Sequence, residues 1–87
     1  MKSFTTSRFR DLYAALPEDV RAAARESYQH WRLDAGHPGL RFKPVHPSRP
    51  IWSVRIGRGW RALRLRKDDG ITWFWIGSHA DYDRLLG

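Results

Sequence analysis

The chain contains no cysteine, no long apolar run and, across its centre, no acidic residue. Without cysteine, neither a disulfide framework nor a cysteine-based zinc site can stabilise the fold. No apolar run reaches the roughly 18 residues that a membrane span needs, and residues 1–6 lack the apolar core of a signal peptide. These absences predict a soluble cytoplasmic protein with no membrane partner.

The positive charge is concentrated in one segment. Residues 35–67 contain nine Arg and Lys but no Asp or Glu, and the whole chain carries a net charge of +7. Clustered like charges destabilise a compact state, and mixed signs would serve solubility equally well. An anionic partner is the simplest reason for the cluster, and RNA is the polyanion that we expect. The alternative is a solvated basic surface without a specific partner.

Eighty-seven residues correspond to a single domain, residues 1–87, with a small core. Five Trp, four Phe and three Tyr enlarge that core, because each aromatic side chain buries roughly 150–250 Å².

Two helices are predicted in the N-terminal third. One face of the first helix consists of apolar residues at i, i+3, i+4 and i+7: Phe9, Leu12, Tyr13 and Leu16. Thr6 or Ser7 can cap its start, and Pro17 separates it from a second helix with an apolar stripe through residues 20–31. We expect the two helices to form an antiparallel hairpin.

The C-terminal half is predicted to form strands and a closing helix. Strands are expected at residues 51–56, 60–66 and 71–76, with turns at 57–59 and 68–70 and a short fourth strand at 40–45. Ser78 and Asp81 have the spacing of a capping box and precede a short helix. The fold class is therefore α+β: an N-terminal helical hairpin on one face of a small antiparallel sheet of three to four strands, with a short C-terminal helix.

His79 is the strongest single candidate for a catalytic residue. It follows the last strand in the first turn of the closing helix, where free backbone N–H groups bind anions and Asp81 is a nearby carboxylate. Histidine is the usual general acid or base near neutral pH. The alternative is a histidine that only caps or packs. Tyr82 can reach the same place, but it is equally suited to the core.

Arginines on the strands are candidates for phosphate binding, because the guanidinium donates two parallel hydrogen bonds. If Trp52, Val54 and Ile56 face the helices, then Ser53 and Arg55 face away from them. Alternation puts Arg61 and Arg64 on opposite faces without deciding which face is open. We expect RNA contacts from four basic residues: Lys43, Arg41, Arg58 and Arg64. Any one of them could instead be a solvated strand-end residue.

No metal or cofactor is expected. His30, His37 and His46 have no carboxylate or cysteine at a recognised metal-ligand spacing.

Four segments carry a resemblance to the RelE/ParE superfamily of bacterial toxin–antitoxin toxins: LPEDVRAAARESYQHWRLD, HPGLRFKPV, IWSVRIGRGWRAL and TWFWIGSHADYDRLL. The resemblance runs from about residue 9 to residue 86, and WRAL…WFWIGSH is its most specific part. The first strand of that family is matched at most by a stub at residues 2–5. The resemblance implies a toxin that a cognate antitoxin holds inactive.

The RelE-like branch of the superfamily cleaves mRNA in the ribosomal A site, by attack of a ribose 2′-OH on the adjacent phosphate. By resemblance, Arg55 and Arg61 match its basic strand positions, and His79 matches the position of a catalytic Arg or His. Lys43 and Tyr82 match more loosely, and Ser53 stands where a Lys is frequent. We expect the side chains of Arg61 and His79 at the surface.

Three functions remain open. The leading hypothesis is a ribosome-dependent mRNA endonuclease that inhibits translation, with the ribosome and mRNA as partners. The second is a ParE-like protein that inhibits DNA gyrase without catalysis. The third is a non-toxic basic binding module of the same fold.

Overall fold

The computed structural model describes residues 2–33, 43–67 and 70–86. The elements in these ranges are β1 (Lys2–Thr5), α1 (Ser7–Ala14), α2 (Glu18–Leu33), β2 (Lys43–Pro44), β3 (Ile51–Ile56), β4 (Trp60–Lys67), β5 (Gly70–Ser78) and α3 (His79–Leu86). The predictions for Arg41, for strand residues 40–42 and for turn residues 68 and 69 lie outside the described residues. Within the described part, no helix is long and apolar enough to cross a membrane.

The helical hairpin forms as the apolar spacing predicts. Thr6 caps α1, because its hydroxyl oxygen accepts a hydrogen bond from the Phe9 N–H at 3.1 Å. The chain then turns at Pro17, whose carbonyl oxygen accepts hydrogen bonds from the N–H groups of Val20 and Arg21. Glu18 and Asp19 occupy the first turn of α2, where acidic side chains complement the helix dipole.

The sheet has five strands in the order β1-β5-β4-β3-β2. Strands β2 to β5 pair antiparallel, whereas β1 pairs parallel with β5. The prediction of three to four antiparallel strands is thus too low by one or two strands, and the sheet is mixed. Strand β1 is exposed along its length and has no alternating pattern of burial, so its pairing depends on tertiary contacts such as that between the Trp73 indole N–H and the Ser3 hydroxyl, at 3.1 Å.

The sheet presents two faces. The hairpin face packs against α1 and α2 through buried apolar residues that include Val54, Ile56 and Ala62. The α3 face contacts the closing helix through Leu63 and Trp75, which pack on Tyr82. The two faces therefore carry separate hydrophobic clusters, as expected for a strand pair in which successive side chains alternate.

A β-bulge in β5 explains how two tryptophans only two residues apart reach opposite faces. Trp73 is paired with Arg64 and Trp75 with Leu63, so Phe74 is the additional residue. Trp73 consequently belongs to the core under the hairpin, and Trp75 belongs to the cluster under α3. Both faces of β5 are therefore covered.

Candidate active site

The β3–β4 turn and the β5–α3 junction meet at one end of the sheet. Trp60 at the start of β4 is paired with Ser78 at the end of β5. The backbone N–H of His79 donates to the carbonyl oxygen of Gly59 at 2.7 Å, and the Ser78 hydroxyl caps α3 by accepting from the Asp81 N–H at 3.1 Å. These contacts fix the first turn of α3 beside the β3–β4 turn.

Two arginines lie directly opposite each other on the α3 face. Arg55 of β3 is the cross-strand partner of Arg61 of β4, and directly opposite like charges destabilise a sheet. The Arg55 Nε donates to the carbonyl oxygen of Gly57 at 2.8 Å, which holds this half-buried side chain towards the turn. An anion placed against this face would relieve the repulsion between the two cations.

Arg61 is a buried cation, and this corrects the expectation that it lies at the surface. The residue is 5 % exposed. Its Nε donates to the hydroxyl of Ser53, which is fully buried. The guanidinium carbon lies 5.4 Å from the centre of the Tyr82 ring, so Tyr82 covers the arginine from the α3 side.

Ser53 therefore has a role that its residue type did not suggest. The sequence resemblance indicated only a departure at this position, whereas in the structure the Ser53 hydroxyl accepts a hydrogen bond from the Nε of Arg61. The cross-strand register could have indicated this contact. Ser53 lies opposite Leu63, and Arg61 is on the same face of the sheet as Leu63, two residues earlier in β4.

Tyr82 is the centre of the cluster. Its side chain is 6 % exposed and packs against Trp75 with a ring separation of 6.3 Å. The His79 ring meets it edge-on at 5.7 Å. The sequence suited Tyr82 either to the core or to a place near His79. In the structure it is part of the core, and it also contacts both Arg61 and His79.

Gly77 makes room for this arrangement. A Cβ atom at this position would lie 2.7 Å from the Trp75 indole, well inside van der Waals contact. The absence of a side chain lets Trp75 fold back over β5.

His79 is exposed, as expected, with 55 % of its side chain accessible. Its Nδ1 lies 3.3 Å from the Oδ2 of Asp83, one helical turn later. Asp81, the carboxylate that the sequence suggested as its neighbour, instead forms an ion pair with Arg84.

The remaining predicted residues are divided between the two faces. Lys43 is exposed on β2 and lies opposite Ser53, so it shares the α3 face with Arg55 and Arg61. Arg58 is exposed in the turn between β3 and β4. These residues form the basic surface around the cluster.

Arg64 lies apart from this surface. It is 6 % exposed and stands 5.3 Å from the Trp52 ring on the opposite face of the sheet. Burial, followed by the neighbouring charge of Arg66, lowers the pKa of Arg64 to about 10. It remains a cation at neutral pH, but a buried one on the hairpin face, and we do not include it in the candidate site.

Metal ligands do not converge in this cluster: in the described ranges, no group of three His, Asp or Glu side chains could hold a metal ion.

A family model described as the ParE-like toxin domain matches residues 18–84. The chain belongs to this family. The predicted membership of the RelE/ParE superfamily is confirmed, and the protein is a toxin domain of that superfamily. Among curated protein sequences, no significant match was found.

Solved structures share the fold at low sequence identity. The RelB–RelE antitoxin–toxin complex from Methanococcus jannaschii matches with a TM-score of 0.76 at 10% identity, over 97% of this chain and 99% of that chain. YafQ from Escherichia coli strain BL21(DE3) matches with a TM-score of 0.69 at 10% identity, over 93% and 96%. The toxin–antitoxin complex RelBE2 from Mycobacterium tuberculosis matches with a TM-score of 0.62 at 21% identity, over 88% and 95%. These similarities confirm the predicted α+β fold.

Proposed function

We propose that this toxin domain is a ribosome-dependent mRNA endonuclease that inhibits translation. The observation that supports it best is the cluster on the α3 face, where the opposed pair Arg55 and Arg61 lies at the same end of the sheet as His79. Cations and an exposed imidazole are the groups that phosphodiester cleavage by a ribose 2′-OH requires.

The reaction assigns a task to each group. His79 takes the proton from the 2′-OH, whose oxygen attacks the adjacent phosphorus. The bond from phosphorus to the 5′-oxygen breaks as that oxygen takes a proton from a water molecule, so the products are a 2′,3′-cyclic phosphate and a 5′-hydroxyl. Arginine charge stabilises the additional negative charge on the phosphate oxygens in the transition state.

The two arginines contribute differently because their exposure differs. Arg55 is half-buried and faces the surface beside the turn, so it is the cation that meets the phosphate. Arg61 lies beneath Tyr82 and therefore acts on the phosphate over a longer distance. Its positive potential reaches that far because the buried, low-dielectric surroundings screen it only weakly. Lys43 and Arg58 extend the basic surface along which the RNA backbone would lie.

A cognate antitoxin is the second partner that we propose, since two of the similar structures are toxin–antitoxin complexes. A cavity of about 660 Å³ lies between the helical hairpin and the sheet. Its lining includes the aromatic residues Phe9, Tyr13 and Tyr28 and the exposed Arg10 and Arg25, and no Asp or Glu is among the described lining residues. An acidic antitoxin segment with apolar side chains fits this cavity.

Induced expression in bacteria tests the proposal. Loss of label from newly made protein, with continued DNA synthesis, is the expected response to the wild-type chain. His79→Ala and Arg55→Ala should relieve growth arrest, whereas Arg66→Ala should not. Arg66 is the matched control, because it is an exposed arginine of β4 opposite Ile71 on the hairpin face.

Inhibition of DNA gyrase without catalysis is the second candidate function. Two observations favour it: the matched family is described as ParE-like, and the buried Arg61 cannot meet a phosphate directly. Gyrase–DNA adducts and an SOS response after induction, with mRNA intact, would establish this function in place of the endonuclease. A soluble protein without any effect on growth would instead favour a non-toxic binding module.

A further inference from the structure

One of the two imidazole nitrogens of His79 faces a carboxylate. Nδ1 of His79 lies 3.3 Å from the Asp83 carboxylate. A neutral imidazole carries its proton on one nitrogen only, and a hydrogen bond accepted by a neighbouring carboxylate decides which one.

We propose that Asp83 is a positioning residue that keeps the proton of neutral His79 on Nδ1 and leaves the Nε2 lone pair to accept the proton of the RNA 2′-OH. This inference rests on the proposed endonuclease function. Asp83 itself does not contact the reacting atoms, and it acts only through the imidazole.

The surroundings of His79 favour this arrangement. The His79 ring lies nearly perpendicular to the Tyr82 ring at 5.7 Å, and the backbone N–H of His79 donates to the carbonyl oxygen of Gly59. These two contacts hold the residue at the junction of β5 and α3. The contact of Nδ1 with the Asp83 carboxylate is what distinguishes the two ring nitrogens.

The side chains involved are accessible, so the contact can be removed without disturbing the core. The side chains of His79 and Asp83 are 55% and 67% exposed. Exposed ion pairs one turn apart on a helix contribute little to stability. A variant of Asp83 should therefore fold normally, and any loss of cleavage can be assigned to the imidazole.

The test compares Asp83→Asn with Asp83→Glu and with Asp81→Asn. Asparagine has the shape of aspartate but can donate to Nδ1, so it should favour the tautomer with the proton on Nε2. Glutamate keeps a carboxylate within reach of His79. Asp81→Asn removes the same charge from the same helix but leaves the contact with His79 intact, because Asp81 pairs with Arg84.

The first readout is the tautomer of the neutral His79 ring, observed through its ring nitrogens by two-dimensional ¹H–¹⁵N NMR. Wild-type, Asp83→Glu and Asp81→Asn should carry the proton mainly on Nδ1, and Asp83→Asn mainly on Nε2. The second readout is the mRNA cleavage rate, which should fall at least about tenfold in Asp83→Asn alone. The corresponding exchange in a buried catalytic triad costs about 10⁴-fold.

An unchanged tautomer in Asp83→Asn, or an equal change in Asp81→Asn, would overturn the inference. Full cleavage activity in Asp83→Asn with an altered tautomer would also overturn it. If the wild-type chain cuts no mRNA, the proposed function fails, and the positioning role fails with it even where the tautomers are as expected.

Discussion

Removal of the Ser53 hydroxyl is the most direct perturbation of the buried arginine. In the Ser53→Ala variant, Arg61 loses the acceptor of its Nε–H in a place where water cannot replace it, because Ser53 is fully buried. Hydrogen bonds to charged groups contribute about 1.5–3 kcal/mol, and small domains have a total stability of only about 5–15 kcal/mol. We therefore expect the free energy of unfolding to fall by about 1.5–3 kcal/mol.

The assay is urea unfolding followed by tryptophan fluorescence, with a double-mutant cycle formed by Ser53→Ala and Arg61→Met. If the hydroxyl acts through Arg61, the two substitutions should be coupled by more than about 0.5 kcal/mol. A loss of less than about 0.5 kcal/mol in Ser53→Ala, or two effects that simply add, would refute the argument that Ser53 anchors Arg61.

Three further predictions concern packing and charge. Gly77→Ala should lower the free energy of unfolding by about 1–3 kcal/mol and alter the near-UV circular dichroism, because the new Cβ would displace the Trp75 indole; an unaltered spectrum would contradict this. Trp73→Ala should lower the free energy of unfolding, measured with urea, by about 3–5 kcal/mol. The reason is that the Trp73 indole is only 6 % exposed and packs perpendicular to the Trp31 ring at 5.4 Å. A loss below about 1 kcal/mol would contradict its place in the core. RNA or ribosome binding, measured by filter retention, should weaken at least about tenfold between 50 and 200 mM salt; an affinity independent of salt would exclude the basic surface as the interface.

Elements that local patterns encode could be predicted from the sequence. The i, i+3, i+4, i+7 spacing gave α1 with Thr6 as its cap, and Ser78 with Asp81 gave the start of α3. The turn at residues 57–59 is likewise local, because Gly57 has a positive φ of 57°, which a glycine adopts without strain.

Features that depend on the partners of a strand could not be predicted from local patterns, and only the family resemblance pointed to a stub of a first strand at residues 2–5. β1 has no apolar alternation of its own, and its parallel pairing with β5 depends on contacts made across the whole chain, such as that between Ser3 and Trp73. The bulge at Phe74 breaks the period of two, so the faces of the flanking tryptophans could not be assigned by parity.

The residues of the candidate site could be named from the sequence, but their arrangement could not. Sequence reasoning brought Arg55, Arg61, Tyr82 and His79 together as candidates, and the sheet register places all four on the α3 face or on the helix that covers it. It did not reveal that Arg61 is buried, because the contact with Tyr82 that covers it joins two residues 21 positions apart in the sequence. The pairing of His79 with Asp83 is a local contact at i and i+4, and the helical spacing alone could have indicated it.

The most direct test of the endonuclease proposal is the mapping of mRNA ends after incubation of purified protein with translating ribosomes. The wild-type chain should produce cuts within translated codons that end in a 2′,3′-cyclic phosphate, and none on free mRNA. The His79→Ala variant, folded to the same thermal stability, should cut about 10²–10⁴-fold more slowly. Equal cutting by both proteins, or intact mRNA with the wild-type chain at concentrations that arrest growth, would contradict the proposal.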